Sequence, residues 1–278
     1  MPGAEKLRVM SAPVTDAIDW TRPWLVPLLQ ARDRVTGAAA WRATADLVAI
    51  ASGLTNHRGL PLRFVAQDTL PNGEAYEAFI GRTGGVPTRD NLHDFFNALV
   101  WLTYPASKRQ LNAIQAAELE RTATATENPG SGNPTRGKLR DRATIFDENA
   151  AILLSAEPSI ERALRNHDWR ECLVKSRTAF GTTCELRLFG HALFEKLVTP
   201  YRAITAHVWV LPVETDYFAL DDGNRRVFVD RLLASSLAQG LLDQSPTPLP
   251  VLGVPGWAPV QDAAFYADKA VFRDKRTG

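Results

Sequence analysis

The sequence has few cysteines, no long apolar run and almost no net charge. Only Cys172 and Cys184 occur among 278 residues, which excludes a disulfide scaffold and a Cys-x-x-Cys metal pair. No window approaches the roughly 18 uninterrupted apolar residues of a membrane span. Residues 1–9 also lack the apolar core of a signal peptide. A formal net charge of +1 implies no long-range field toward nucleic acids or anionic membranes. We therefore expect a soluble cytoplasmic protein.

The hydrophobic pattern predicts the fold class. Hydrophobic residues make up 45% of the chain, enough to bury a full core. Helical periodicity dominates, and alternation with a period of two is confined to short segments. We predict a single helix-rich α+β domain over residues 1–278, with a small, mainly antiparallel sheet formed near 61–67, 142–155 and 203–213. The Pro, Gly, Thr and Asn content predicts a flexible loop at 122–137 and an irregular C-terminal segment that wraps over the body at 246–278.

The spacing of polar and apolar residues over 90–101 predicts a short helix with an unusual polar face. At about 100° per residue, one stripe of this helix contains Asp90, His93, Asp94, Asn97 and Trp101. Asp, His and Asn each cost about half a kcal/mol relative to the Lys, Glu and Arg of ordinary solvated faces. Three interpretations remain open: a solvated face with a capping residue at its start, a buried hydrogen-bond network, and a ligand or catalytic site.

Two further polar clusters occur in otherwise apolar segments. Asp147 and Glu148 fall at the tip of a predicted strand–turn–strand over 141–154, which is ordinary turn chemistry or a source of a general base. His191 and Glu195 are four residues apart on a helix predicted to run from Thr182 or Thr183 to Thr199. A neutral core histidine bonded to Glu195 and a contribution to a metal or acid–base site are both compatible with that spacing.

If the three clusters converge on one cleft, they provide the side chains of a metal-dependent hydrolase. In this hypothesis a divalent metal ion is held by His93, Asp94 and His191. Asp147 and Glu148 are then the catalytic carboxylates, and Asp147 is also a candidate third ligand. The predicted ligand-binding residues are Asn97, Arg89 and Lys108, of which Lys108 lies on a second predicted helix over 106–121.

Two other functions remain open on the sequence. In a non-enzymatic binding or adaptor protein, the polar stripe would be structural, and the C-terminal segment or the 122–137 loop would contact a protein partner. Nucleic-acid binding would need a continuous basic face, and its candidate residues are Arg89, Lys108, Arg109, Arg136, Lys138, Arg140 and Arg142. The balanced total charge disfavours nucleic-acid binding.

Four stretches resemble one family. They are NLHDFFNALVWLTYPASKRQLN (91–112), TIFDENAAILLS (144–155), FGHALFEKLVTPYRAITAH (189–207) and LPVLGVPGWAP (249–259). They are similar to sequences of the bacterial domain-of-unknown-function family 3025, and the resemblance extends from about residue 20 to 272. It implies a bacterial, proteobacterial protein. It assigns no catalytic role to any residue.

Overall fold

The computed structural model describes residues 14–36, 40–127 and 135–275 of the chain. Within these ranges, the α-helices are α1 (Leu29–Val35), α2 (Trp41–Ala51), α3 (Tyr76–Thr83), α4 (Leu92–Thr103), α5 (Pro105–Glu127), α6 (Thr135–Asn149), α7 (Pro158–Arg165), α8 (His191–Lys196), α9 (Asp222–Ala238) and α10 (Ala263–Ala267). The strands are β1 (Arg63–Ala66), β2 (Gly85–Thr88), β3 (Ala150–Ser155), β4 (Cys184–Leu188), β5 (Thr205–Pro212) and β6 (Thr247–Pro250). The α+β class is confirmed.

The strands form two sheets. β1 and β2 pair in parallel as a two-stranded sheet, and the larger sheet has the order β4-β3-β5-β6. In the larger sheet β3 is antiparallel to β4 and parallel to β5, while β5 is antiparallel to β6. All six residues of β3 are buried because it is a central strand covered on both faces. The larger sheet therefore has mainly antiparallel pairs, as predicted. The segment near 61–67, predicted to be part of the same sheet, instead contributes β1 to the separate parallel sheet, because its pairing partner is β2.

Helix α4 lies at the centre of the packing. Every residue from Asp94 to Thr103 is buried, including the polar ones. Phe95, Phe96 and Leu99 are fully covered and belong to one contiguous apolar cluster that also includes residues of the larger sheet. The polar stripe of this helix is thus enclosed by protein along most of its length, which excludes a fully solvated face.

In the predicted strand–turn–strand over 141–154, the first strand and the turn are wrong, whereas the second strand is confirmed as β3. The chain instead continues as helix α6 to Asn149 and enters β3 directly. Leu139, Ala143 and Phe146 are spaced four and three residues apart, and all three pack against the core. Asp147 and Glu148 consequently occupy the last turn of a helix, next to a buried strand.

The long helix predicted from residue 182 to 199 is also wrong. Its first part is strand β4, in which Cys184, Leu186 and Leu188 alternate on a buried face and pair with β3. Only His191–Lys196 is helical, as α8. Sheet pairing with β3 overrides the helical periodicity of the isolated segment, since a strand's preference depends on its neighbours.

The C-terminal segment is more regular than predicted. Residues Thr247–Pro250 form the edge strand β6, where proline is tolerated because one side of the strand has no ladder partner. The predicted loop at 122–137 is narrowed by α5, which reaches Glu127, and by α6, which begins at Thr135. Its centre, residues 128–134, lies outside the described residues.

Candidate functional site

The start of α4 places His93 in its first turn. Asn91 is the N-cap, and its side-chain oxygen accepts a hydrogen bond from the Asp94 amide at 2.8 Å. Asp90 has a different partner, because its carboxylate accepts from Trp41 Nε1 at 2.7 Å. Asn91, and not Asp90, is therefore the cap of α4. His93 then projects toward α8, which packs directly against α4.

The start of α8 depends on Gly190. Its amide donates to the Ala150 carbonyl at 3.0 Å. A Cβ at this position would overlap the backbone of Glu148 and Asn149, which only a glycine avoids. This close approach puts the next residue, His191, beside the end of α6. The Nδ1 of His191 donates to the Asp147 carbonyl oxygen at 2.7 Å.

The two histidines meet each other directly. His93 Nε2 and His191 Nε2 are 3.0 Å apart, and the rings are nearly perpendicular at 78°. On its other side, His93 Nδ1 lies 2.9 Å from Glu195 Oε2. The side chains of His93 and Glu195 are 32% and 41% exposed, whereas that of His191 is 7% exposed. The histidine pair (His93 and His191) is therefore buried at one end and open to solvent at the other.

Hydrogen-bond complementarity assigns the hydrogens of the pair. A carbonyl oxygen only accepts, so His191 Nδ1 carries a hydrogen, and the Glu195 carboxylate requires one on His93 Nδ1 as well. Two Nε2 lone pairs facing each other at 3.0 Å would repel, so one of these nitrogens carries a hydrogen too. The pair thus holds one excess proton and a single positive charge, beside the Glu195 carboxylate.

Burial determines which histidine is neutral. Removal of His191 from water lowers its pKa to about 4, and the nearby charges of Lys108 and His93 also lower it, against the opposing effect of Asp147. His191 therefore presents an unprotonated Nε2, which accepts the hydrogen bond that His93 Nε2 donates. One imidazole is an acid and the facing one is a base.

A series of buried hydrogen bonds continues from Asp147 into the core. Lys108 Nζ lies 2.5 Å from Asp147 Oδ1 and donates to Asn97 Oδ1 at 2.9 Å. Asn97 in turn donates to the Tyr76 hydroxyl at 2.9 Å. Burial acts to raise the pKa of Asp147, but Lys108 and then the histidines outweigh it, and the pKa stays below its ordinary value. Burial, followed by the Asp147 and Asp94 charges, raises the pKa of Tyr76, which therefore remains a neutral phenol.

The structure brings together residues from all three predicted clusters. His93, Asn97, Asp147 and His191 form one hydrogen-bonded set with Lys108, which the sequence had placed on a neighbouring helix. The hydrogen bond considered between His191 and Glu195 is absent from the described contacts, and Glu195 instead accepts a hydrogen bond from His93 Nδ1. Convergence, on which the hydrolase hypothesis depends, is therefore present in the geometry.

Three predicted site residues lie apart from the pair. Asp94 accepts from the Arg89 amide and guanidinium at 2.6 and 2.9 Å, so these two neutralise each other. The Glu148 side chain takes part in none of the hydrogen bonds found among the described residues. Its carbonyl instead packs against Gly190. The assignments of Asp94 as a ligand, Arg89 as a binding residue and Glu148 as a base remain predictions.

The carboxylates near the pair are placed for orienting the rings. Glu195 and the Asp147 backbone contact the δ nitrogens, on the far side of each ring from the facing Nε2 atoms. Within residues 14–36, 40–127 and 135–275, no group of three or more His, Cys, Asp or Glu side chains is arranged to hold a metal ion. The predicted ligand set of His93, Asp94 and His191 has no support from this geometry.

Sequence patterns did not single out Tyr76 or rank Glu195 among the site residues. Tyr76 follows a turn at the start of a short helix, and nothing in its local sequence distinguishes it from a core aromatic. Glu195 had a signal, because it lies four residues from His191 on an apolar helix. Its partner His93 is 102 residues distant in the chain, so only the packing of α4 on α8 could identify the contact.

Comparison with known proteins identifies a family. None of the described helices is long and apolar enough to cross a membrane. No curated protein and no solved structure matches the chain. The model of the family described as "Protein of unknown function (DUF3025)" matches residues 62–276, and the chain belongs to that family.

Proposed function

We propose that the histidine pair is the acid–base centre of a hydrolytic enzyme. The observation that carries the proposal is the 3.0 Å contact between the two Nε2 atoms, with both δ nitrogens already bonded to acceptors. Fixed δ nitrogens direct the reactive ε nitrogens toward a single point. A protonated and a neutral imidazole at one point supply the acid and the base that cleavage of an ester or amide requires.

In the proposed reaction, the two imidazoles exchange protons in a closed cycle. Water and the substrate first displace the hydrogen bond between the two Nε2 atoms. A water molecule that attacks the carbonyl carbon, or the phosphorus of a phosphodiester, then gives its proton to His191 Nε2 as the new bond to oxygen forms. His93 Nε2–H protonates the leaving oxygen or nitrogen as its bond to that carbon or phosphorus breaks. The proton then passes from His191 directly to His93 across their contact, which restores the starting state. The low pKa of His191 favours this return step.

The metal-dependent form of the hydrolase hypothesis needs a further ligand near the two Nε2 atoms. Asp147 and Glu195 are engaged at the opposite ring nitrogens, and Asp94 is paired with Arg89. The proposed reaction therefore uses the imidazoles themselves. The roles that remain in the proposal are catalytic for His93 and His191, and orienting for Glu195 and Asp147.

The test is hydrolysis measured in a pH-stat with a chelator present throughout. The substrates are alkyl esters, alkyl amides and alkyl phosphodiesters, because an alkoxide or amine leaving group needs an acid whereas nitrophenolate does not. Replacement of either histidine, His93→Gln or His191→Gln, should lower turnover by about 100- to 10,000-fold. His167→Asn is the matched control, since His167 has a positive φ of 55° that asparagine tolerates.

Two results would contradict this function. Turnover that persists in both histidine variants would place the catalysis elsewhere. Absence of turnover in the wild type across the three substrate classes, with the histidine variants only less stable, would favour a non-enzymatic binding protein.

A second candidate function is supported by an apolar cavity in the C-terminal segment. Its volume is about 690 Å³, and its lining includes Leu252, Pro259 and Phe265. Val260, at its rim, is 64% exposed. Such a cavity suits an apolar side chain of a protein partner, which is the binding or adaptor alternative.

A further inference from the structure

One carboxylate faces two groups that can be positively charged. Asp147 Oδ1 lies 2.5 Å from Lys108 Nζ and 3.8 Å from His191 Nδ1. The Lys108 and His191 side chains are 4% and 7% exposed, so neither charge is screened by water. In such surroundings a single negative charge stabilises one cation strongly but not two cations that repel each other. The charge state of His191 therefore depends on Lys108 in addition to burial.

Lys108 is held firmly in this position. Its ammonium donates to Asn97 Oδ1 at 2.9 Å, and it lies 5.3 Å from the centre of the Trp101 ring. Asn97 is oriented by the bond that it donates to Tyr76. Buried contacts on several sides thus keep the ammonium against Asp147 and away from solvent.

We propose that Lys108 is a positioning residue that places the excess proton of the histidine pair on His93. By occupying the Asp147 carboxylate, Lys108 denies His191 a counterion and keeps its Nε2 unprotonated. The inference rests on the proposed acid–base function, but its test reads protonation directly and needs no turnover.

The charges that face His191 come from three packed helices. They are Asp147 on α6, Lys108 on α5 and His93 on α4, and Glu195 on α8 faces His93 from the opposite side. Lys108 is the one permanent cation among these partners. Removal of its charge leaves the Asp147 carboxylate to interact with His191, so the proton affinity of His191 should rise relative to that of the wild type.

The experiment is nitrogen NMR of the full chain labelled at its five histidines. At pH 7 the wild type should show His191 neutral, with its hydrogen on Nδ1. In Lys108→Met the His191 ring should titrate about 1 to 3 pH units higher, the effect expected of an opposite charge at this range. In Lys108→Arg, which restores the charge, His191 should return toward the wild-type pattern.

Two further variants keep the inference testable. Lys196→Met removes a positive charge from α8, where Lys196 bonds Asn149 rather than Asp147, and should leave His191 unchanged. Asp147→Asn preserves the backbone acceptor and removes the carboxylate charge, so it should lower the pKa of His191 further. If Lys108→Met does not fold, the pKa of His191 in Asp147→Asn still measures how far the Asp147 carboxylate affects His191.

An unchanged His191 in Lys108→Met, or a higher His191 pKa in Asp147→Asn, would overturn the positioning role. The outcome is separable from the function above. The expected NMR shifts without hydrolysis in the wild type would reject the hydrolase and support the proton placement. Hydrolysis without the shifts would support the hydrolase and reject the placement.

Discussion

The two ends of the polar cluster are built from similar charges in very different surroundings. At the outer end, His93 and Glu195 are about one-third and two-fifths exposed, while at the inner end Lys108 is 4% and Asp147 16% exposed. Solvent-exposed ion pairs contribute at most about 1 kcal/mol, and loss of one partner of a buried pair costs about 3–5 kcal/mol. The outer end can therefore exchange protons with solvent, and the inner end maintains the geometry.

The largest expected effect separates the two ends by stability. Lys108→Met should lower the free energy of unfolding by about 3–5 kcal/mol, because Asp147 would be left charged and buried without its main partner. Glu195→Gln, its counterpart at the outer end, should cost at most about 1 kcal/mol, since the amide oxygen can still accept from His93. Urea unfolding of both variants is the measurement. Equal losses would show that the two ends do not differ as described.

A second expected effect is a pH dependence carried by His191. Its pKa is about 4 in the folded chain against 6.5 as the ordinary value, so the unfolded chain binds more protons between these values. Stability should therefore rise with pH from about 4 to 6.5, by roughly 3 kcal/mol, and stay level above that range. The rise of the unfolding free energy with pH should be lost in His191→Gln, which lacks the titrating group, and should remain in His167→Asn. If the rise remains in His191→Gln, another group is responsible for it.

The third expected effect tests the close approach of Gly190 to the end of α6, which places His191 beside Asp147. Gly190→Ala should destabilise the fold by about 1–3 kcal/mol, because the added methyl meets the rigid backbone at the end of α6. The change should also lengthen the contact from His191 to the Asp147 carbonyl, which NMR of the His191 Nδ1 hydrogen would detect. Gly223→Ala is the control, since its Cβ would meet only the Asp221 side chain, at 3.3 Å. Equal stability of the two variants would refute the close-approach argument.

Helix α4 is the element that the local sequence pattern predicted most fully. Its polar stripe, its buried apolar faces and its N-terminal cap all follow from residue types and spacing over 90–102, and the structure contains them. The same reasoning failed at 141–149 and at 182–199, where helix and strand were exchanged. In those segments, short apolar runs satisfy both periodicities, and the neighbouring strand decides between them.

The site was predictable as a set of candidates but not as an arrangement. Polar residues in apolar elements need hydrogen-bonding partners, and this identified five candidates from the sequence: His93, Asn97, Lys108, Asp147 and His191. Which atoms would meet was undetermined. The metal hypothesis assumed that the carboxylates would face the same point as the imidazole Nε2 atoms. The Glu195 carboxylate instead lies 2.9 Å from His93 Nδ1, and the Asp147 carboxylate lies 3.8 Å from His191 Nδ1.

The sequence by itself determined the α+β class, the family and a buried helix whose polar face required partners. The tertiary structure decided the pairing of those side chains, since His93 and Glu195 are 102 residues apart and Lys108 and Asp147 are 39 apart. Local pattern reports on neighbours within a few turns. The burial that makes His191 a neutral base and Lys108 its controlling charge exists only once α4, α5, α6 and α8 have packed together.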